Sequence, residues 1–333
     1  MTPPALDASI VIPTHDRCDS LRGVLEALSR QTVASDRFEV VVICDGCTDG
    51  TESMCRALPT DYPLRVITQE QSGPAAARNC GVAEATGPLI IFLDDDVVPD
   101  PRLIALHLSA HQRDSTGVVI GPLLAPPGFS LEPWTQWEAT MLAGQYRDIA
   151  MGKWKPTPRQ FYTGNASVRR AHILEAGGFD PSYWRAEDVE LAYRLQDLRL
   201  NFLFEPEARG WHYARRSLRS WLRIARAYGE ADVRMYRDGR LMTLQSMAAE
   251  FKWRRKSLRR LARACVGRPG VLYPVIGLAL AGATVAHWTG WPRASEGGYS
   301  LIFNLCYWQG ICDRLGGRSA FWTLIRFGMP APA

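Results

Sequence analysis

Short apolar runs alternate with amphipathic stretches along the first part of the chain. Apolar runs that predict strands lie at residues 9–12, 38–43, 64–68 and 89–93. Between the first two runs, Leu21, Val24 and Leu28 recur at the spacing of one helical face. This alternation of strand and helix predicts an α/β fold with a mostly parallel, doubly wound sheet. Further strands are predicted at residues 118–124, 161–168 and 201–204, and a long helix at residues 217–239.

The fourth apolar run leads directly into three carboxylates, Asp94, Asp95 and Asp96. A continuous apolar run predicts a buried parallel strand, and open α/β sheets bind ligands at the carboxyl ends of such strands. Alternation along a strand predicts that Asp94 and Asp96 leave on the same side, where both reach one divalent cation. The alternative is an acidic turn ahead of Pro99 and Pro101.

Composition narrows the class of protein. The chain has 333 residues, 47% of them hydrophobic and 22% charged, which indicates a globular protein of one large α/β domain with an appendage, or two smaller domains. There is no G-x-G-x-x-G after the first strand and no P-loop motif, which disfavours a dinucleotide-binding fold and a P-loop nucleotidase.

The cysteines and the first residues of the chain indicate the cellular compartment in which we expect the protein. The eight cysteines are scattered, and Cys44 and Cys47 form one C-x-x-C without a second pair or a nearby His, so we expect reduced thiols in a cytoplasm. The first residues show no basic segment followed by an apolar one, so we expect no secretion signal.

Several segments, taken in order, resemble the signatures of a known enzyme family. They are residues 10–14, 44–51, 73–79, 92–96, 164–167, 177–180 and 187–191. The sequence resembles family 2 glycosyltransferases of the GT-A fold over about residues 8–214. The resemblance implies an inverting transfer of a sugar from a nucleoside-diphosphate sugar, a UDP-sugar, to a hydroxyl of a glycan or lipid-linked acceptor, as in synthesis of cell-envelope polysaccharides.

The resemblance also implies roles for individual residues. The residues of the nucleotide cleft would be Pro13, Thr14, Asp16, Asp45, Arg78, Asp94 and Asp95. The ligands of a divalent Mn²⁺ or Mg²⁺ would be Asp94, Asp96 and His212. Asp188 would be the catalytic base, with Glu187 beside it. The chain departs from the family where Cys44, Cys47 and Asp16 replace the usual Asp, Ser and Asn, which leaves the choice of base less secure.

The chemistry of glycosyl transfer agrees with these roles. The departing diphosphate gains charge that a divalent cation stabilises, and the acceptor hydroxyl must lose a proton to a separate carboxylate. Apolar residues after Asp188 recur at helical spacing, which places the carboxylate near a helix start, where the dipole favours its ionised form. Tyr183 and Trp184 are candidates either for stacking on the acceptor or for core packing. His107 and His111 have metal-pair spacing but no acidic partner, and we interpret them as ordinary helix residues.

The last third of the sequence predicts a second region. We place the catalytic domain at residues 1–240 and a basic and apolar helical region at residues 241–333. Eight cations and no acid lie within residues 251–270, and residues 271–288 carry no charged side chain. Cations beside an apolar helix favour the cytoplasmic face of an anionic membrane over nucleic acid. We therefore expect peripheral attachment, with a true membrane span or simple packing as alternatives.

Two other functions fit parts of the sequence. A haloacid-dehalogenase-like phosphohydrolase would use Asp94 as nucleophile and Asp96 as general acid, but its motif follows the first strand of the chain rather than the fourth. A non-catalytic, membrane-bound scaffold with a degenerate transferase domain is the second alternative, and the full set of expected carboxylates argues against it.

Overall fold

Strands and helices alternate through the first half of the chain in a computed structural model that describes residues 6–240 and 242–328. The first elements are β1 (Ala8–Thr14), α1 (Cys18–Leu28), β2 (Phe38–Asp45), α2 (Thr51–Ala57), β3 (Leu64–Gln69), α3 (Pro74–Glu84) and β4 (Leu89–Leu93). The predicted strands and helices of this region are confirmed, and β4 has the predicted bounds. Strands β1, β2 and β4 are buried along nearly their whole length, as expected for a sheet covered on both faces.

The remaining elements of this region complete the sheet and carry the second half of the site. They are β5 (Val97–Pro99), α4 (Leu103–Arg113), β6 (Gly117–Ile120), β7 (Leu123–Leu124), α5 (Pro133–Ala150), β8 (Asn165–Arg169), α6 (Arg170–Glu175), α7 (Glu187–Asp197), β9 (Asn201–Phe204) and β10 (Gly210–His212).

Seven strands form the main sheet in the order β3-β2-β1-β4-β8-β6-β9. All neighbours are parallel except β8, which runs antiparallel to β4 and β6. A second, three-stranded sheet has the order β5-β10-β7. The mostly parallel sheet with helices confirms the predicted fold class.

Two predicted strands differ from the observed ones. The run at residues 118–124 is split into β6 and β7, which belong to different sheets, because the chain turns at Gly121 and Pro122. A Cβ on Gly121 would lie 2.4 Å from the Ala208 carbonyl oxygen, so only glycine fits at this turn. The run at 161–168 begins as a strand only at Asn165, since a 3-10 helix at Pro158–Gln160 precedes it.

Six helices follow the mixed sheet and form their own core. They are α8 (Leu218–Arg237), α9 (Met242–Trp253), α10 (Lys256–Cys265), α11 (Pro269–Trp288), α12 (Pro292–Leu315) and α13 (Arg318–Phe327). Trp221 and Tyr299 are fully buried there and pack edge-to-face. Helices α8 and α12 approach closely, because a Cβ on Gly310 would lie 2.0 Å from the Arg226 carbonyl oxygen.

The chain divides into two compact units. Of the described residues, 6–130 and 139–214 belong to the first, and 131–138, 215–240 and 242–328 belong to the second, so the chain passes between the units at 130/131, within α5 at 138/139 and at 214/215. Packing by α8 into the helical core puts this division earlier than the predicted boundary at 240. Position 241 and the two chain ends lie outside the described residues.

Candidate active site

The three aspartates after β4 point in different directions. The chain turns at Asp95 and Asp96, and the Val97 N–H donates to the Asp94 carbonyl oxygen at 3.1 Å. Strand alternation therefore ends at Leu93, and Asp94 and Asp96 do not leave on one side as expected. The Asp94 carboxylate accepts from Arg78 at 2.9 Å, whereas Asp96 lies beside His212.

Strand pairing brings Asp96 and His212 together. Strands β5 and β10 are antiparallel with His212 opposite Val97, so the imidazole lies next to the residue that precedes Val97. His212 Nε2 lies 3.4 Å from Asp96 Oδ1, and an Arg17 amino group lies 3.4 Å from Asp96 Oδ2. The site thus combines a partly buried carboxylate and imidazole with one exposed guanidinium.

The donor set at this point suits a divalent cation shared with a substrate. Among residues 6–240 and 242–328, no group of three or more His, Cys, Asp and Glu side chains is arranged as a metal site. Asp96 supplies an oxygen, the ligand type that Mn²⁺ and Mg²⁺ prefer, and His212 supplies a nitrogen, so the remaining positions would fall to phosphate oxygens and water. Asp94, the third expected ligand, is bound by Arg78 through one carboxylate oxygen, and its role as a metal ligand stays a prediction.

Asp45 organises the loop that follows β3. Its carboxylate accepts from the Gln69 amide, the Ser72 N–H and the Gly73 N–H, each at 2.8 Å. A carboxylate offers about four lone-pair positions, so about one remains for a ligand. Asp45 lies at the carboxyl end of β2, next to the end of β1, as expected for a residue of the nucleotide cleft.

Residues at the end of β1 and just after it form short polar contacts with the turns that follow β2 and β4. Thr14, at the end of β1, donates to the Asp95 carboxylate at 2.7 Å, and burial with repulsion from Asp96 raises the pKa of Asp95 to about 7. Asp16 has a φ of 51° and accepts from the Thr48 N–H at 2.7 Å. Pro13 precedes these residues within β1 and is half-buried.

Arg78 connects the acidic turn to helix α7. The Arg78 side chain is buried, and its two amino groups donate to Asp94 at 2.9 Å and to Glu187 at 2.8 Å. Next to it, the Asn79 amide exchanges two hydrogen bonds of 2.8 Å with the Phe179 backbone. Helix α3 therefore fixes the segment ahead of α7 against the end of β4.

Glu187 and Asp188 begin helix α7 and differ in their surroundings. Glu187 is buried and paired with Arg78. Asp188 accepts from the Val189 N–H at 2.8 Å, and burial together with the Glu187 charge raises the pKa of Asp188 to about 7. A carboxylate with this pKa is suited to accept a proton near neutral pH, so the geometry favours Asp188 over Glu187 as a base.

The pattern of motifs matches one enzyme family. The profile of the family described as Glycosyl transferase family 2 matches residues 9–178. The chain belongs to glycosyl transferase family 2. This membership removes the phosphohydrolase alternative, which assigned Asp94 as a nucleophile.

Two named relatives match between about half and two thirds of the chain. Validoxylamine A glucosyltransferase of Streptomyces hygroscopicus subsp. jinggangensis (strain 5008) is 33% identical in an alignment 213 residues long that covers 56% of this chain and 50% of that protein. Pre-mycofactocin glycosyltransferase of Mycobacterium tuberculosis (strain ATCC 25618 / H37Rv) is 29% identical in an alignment 234 residues long that covers 67% of this chain and 46% of that protein. The chain thus spans about half the length of these relatives.

Solved structures confirm the GT-A fold. The mannosyltransferase PcManGT from Pyrobaculum calidifontis, solved with GDP-Man and Mn²⁺, has a TM-score of 0.61 and 18% identity, covering 93% of this chain and 88% of that one. S. aureus TarS 1-349, solved with UDP, has a TM-score of 0.55 and 15% identity, covering 93% and 92% of the two chains.

In this family 2 protein, the structure gives contacts to three residues to which the sequence assigned no role in the site, Arg17, Asn165 and His107. Arg17 lies three residues after the first motif, and its position after a strand end was the available signal. Asn165 contacts three segments at once: its amide donates to the Pro122 and Ala208 carbonyl oxygens, and its side-chain oxygen lies 3.0 Å from His107 Nε2. His107 belongs to a buried polar network that also includes His111, and burial lowers the pKa of His107 to about 4.

Proposed function

We propose that the protein transfers a sugar from a nucleoside-diphosphate sugar, a UDP-sugar, to an acceptor hydroxyl with inversion at the anomeric carbon. One observation carries this proposal: buried Arg78 binds both Asp94 and Glu187 and so fixes the acidic turn against the start of α7. The two residues proposed to bind the divalent cation, Asp96 and His212, then belong to the same site as the proposed base, Asp188. PcManGT with GDP-Man and TarS with UDP support a nucleotide donor.

The donor half of the site holds the diphosphate. Asp96 and His212 would hold Mn²⁺ or Mg²⁺, which supplies positive charge to the departing diphosphate when it is bound. Arg17 contacts the Asp96 carboxylate, and its guanidinium would place a second positive charge near the phosphates. Asp45 has about one lone pair left for the N–H of the uracil base. Because all these groups are fixed by backbone and side-chain contacts, little reorganisation accompanies the reaction.

The acceptor half supplies the base. As the acceptor oxygen forms a bond to the anomeric carbon, its proton moves to a carboxylate oxygen of Asp188, and the bond to the diphosphate oxygen breaks with its electron pair on the leaving group. One displacement by one base inverts the anomeric centre. Arg78 neutralises Glu187 and thereby limits the repulsion that Asp188 experiences in its ionised form.

A thermal-shift screen tests the donor half. We expect UDP-glucose or GDP-mannose to raise the melting temperature in the presence of Mn²⁺, since a ligand that binds only the folded protein stabilises it. In Asp96→Ala the Mn²⁺-dependent part of the shift should vanish, whereas Asp61→Ala, at an exposed loop position, should behave as the wild type. An unchanged shift in Asp96→Ala would refute the metal assignment.

The second unit supports peripheral attachment to the cytoplasmic face of a membrane, which we propose as a separate property. Among the described residues, one helix, Pro269–Trp288, is long and apolar enough to cross a membrane, and 22% of its most apolar window is buried. Its buried side is formed by Leu272, Ile276, Ala283 and Ala286. The opposite side is exposed and apolar at Val271, Pro274, Leu278, Ala281, Val285 and Trp288.

Charge near this exposed stripe favours an anionic surface. The exposed cations of the adjoining residues are Lys252, Arg255, Lys256, Arg260, Arg263 and Arg268. A helix with one side in a protein core and an exposed apolar stripe suits an in-plane position at headgroup level better than a span, because a span would carry the helices packed against it, α10 and α12, into the bilayer with their charged side chains. This position would suit a glycan or lipid-linked acceptor.

A further inference from the structure

Trp184 is the most exposed large side chain near the site. Its side chain is 73% exposed, although Tyr183 before it and Ala186 two residues after it are 3% and 4% exposed. Large aromatic side chains dominate the energetics of cores and interfaces, because burying them removes a large apolar area from water. An indole left in water beside the start of α7 is therefore a surface that a ligand can cover.

The segment that carries Trp184 is held in one conformation. The Ser182 N–H donates to the Asp180 carboxylate at 2.9 Å, and the Tyr183 N–H donates to the Asp180 carbonyl oxygen at 3.0 Å. Ala186, the residue before α7, has a φ of 60°, a left-handed conformation that is strained for a non-glycine residue. The contacts around the segment maintain this strain, so the indole is presented by an ordered turn.

The indole lies against the loop on the donor side. A Cβ on Gly73 would lie 3.1 Å from Cζ3 of Trp184, so the ring packs on the Gly73 backbone. Gly73 is the residue that donates its N–H to Asp45. Three residues after Trp184, helix α7 begins with Glu187 and Asp188. Trp184 thus lies between the donor loop and the base.

We propose that the exposed face of Trp184 is the platform for the acceptor ring, and that this ring is a saturated six-membered polyol, a sugar or a cyclitol. The proposal rests on the proposed glycosyl transfer and names its acceptor class. The face of such a ring presents C–H groups with partial positive charge to the negative face of the indole, while hydroxyls at the ring edge remain free for hydrogen bonds. Asp188 lies four residues after Trp184, at the start of α7, and would contact one of these hydroxyls.

Saturation-transfer difference NMR tests the platform with three ring probes: methyl β-D-glucopyranoside, methyl α-D-mannopyranoside and myo-inositol, each with UDP and Mn²⁺ present. We expect transfer to the C–H protons of at least one probe in the wild type. Trp184→Leu keeps an apolar side chain but removes the aromatic face. Its affinity for the probe should fall by about tenfold, which corresponds to the upper end of the energies measured for one aromatic contact. Trp184→Phe should bind within about twofold of the wild type.

Matched measurements separate the possible outcomes. Trp288→Leu, at an indole of the second unit that is 77% exposed, should leave probe binding unchanged. UDP affinity should be equal in wild type and Trp184→Leu. Equal probe binding in the two proteins, absence of transfer to all three probes, or loss of UDP affinity in Trp184→Leu would each overturn the proposal, the last by assigning Trp184 to the nucleobase. Failure of the wild type to bind any nucleotide would instead contradict the proposed function.

Discussion

At the scale of single residues, neighbouring acidic side chains have different roles because their partners differ. Glu187 and Asp188 are adjacent, but only Glu187 is bound to Arg78. Asp94 is bound to the other amino group of Arg78, whereas Asp96 lies against His212 and Arg17. One buried guanidinium thus binds two carboxylates, and the catalytic and metal-binding roles proposed above fall to Asp188 and Asp96, to which it makes no hydrogen bond.

The pKa of Asp188 gives a testable pH dependence. Burial and the Glu187 charge raise this pKa to about 7, and the base works only when it is deprotonated. Transfer should therefore increase as pH rises through about 7 and fall by about tenfold for each pH unit below it. Initial rates at saturating donor between pH 5.5 and 8 measure this dependence. A rate that stays flat below pH 7 would show that another group is the base.

At the scale of elements, the sequence predicted the parallel part of the sheet but not the contacts that finish the site. Strand β4 is a continuous apolar run, so its bounds were readable from local pattern alone. The partners of Arg78 lie 16 and 109 residues away along the chain, and the approach of His212 to Asp96 depends on the pairing of β5 with β10. Such long-range pairings leave no periodic signal in the sequence.

The close approach of α8 and α12 gives a stability prediction. Gly310→Ala would place a methyl group on the Arg226 carbonyl oxygen and force the helices apart, so the free energy of unfolding should fall by about 1–3 kcal/mol. Urea denaturation of the full chain measures this loss. Gly297→Ala, in the same helix with open space around it, should be neutral or stabilising by up to about 1 kcal/mol. Equal stability of the two variants would contradict the packing described for Gly310.

At the scale of the whole molecule, the chain combines a GT-A unit with a helical unit whose exposed surface is apolar and basic. Composition alone predicted this second region, but not that α8 packs into its core. Deleting residues 251–333 would remove α12 and expose Trp221, so truncation does not test membrane attachment cleanly. Point substitutions on the exposed stripe of α11 test membrane attachment better, because they leave the helical core intact.

Sedimentation with vesicles tests the membrane proposal. The wild type should pellet with phosphatidylcholine vesicles that contain phosphatidylglycerol, and less at high salt, because salt screens the cations. The double variant Leu278→Gln, Trp288→Gln should bind about tenfold more weakly, since it removes two exposed apolar side chains from the stripe. Leu174→Gln, at an exposed position of the first unit, is the matched control. A wild type that stays in the supernatant with anionic vesicles would contradict the proposal.

The most direct test of the account is the turnover of Asp188→Asn. With Mn²⁺ and UDP-glucose or GDP-mannose, whichever the thermal-shift screen selects, release of UDP or GDP should fall by about a hundredfold to ten-thousandfold. The Mn²⁺-dependent thermal shift that the same donor produces should equal that of the wild type, because Asp188 does not contact Asp96 or His212, the proposed ligands of the cation. Release at the wild-type rate with donor binding intact would contradict Asp188 as the base.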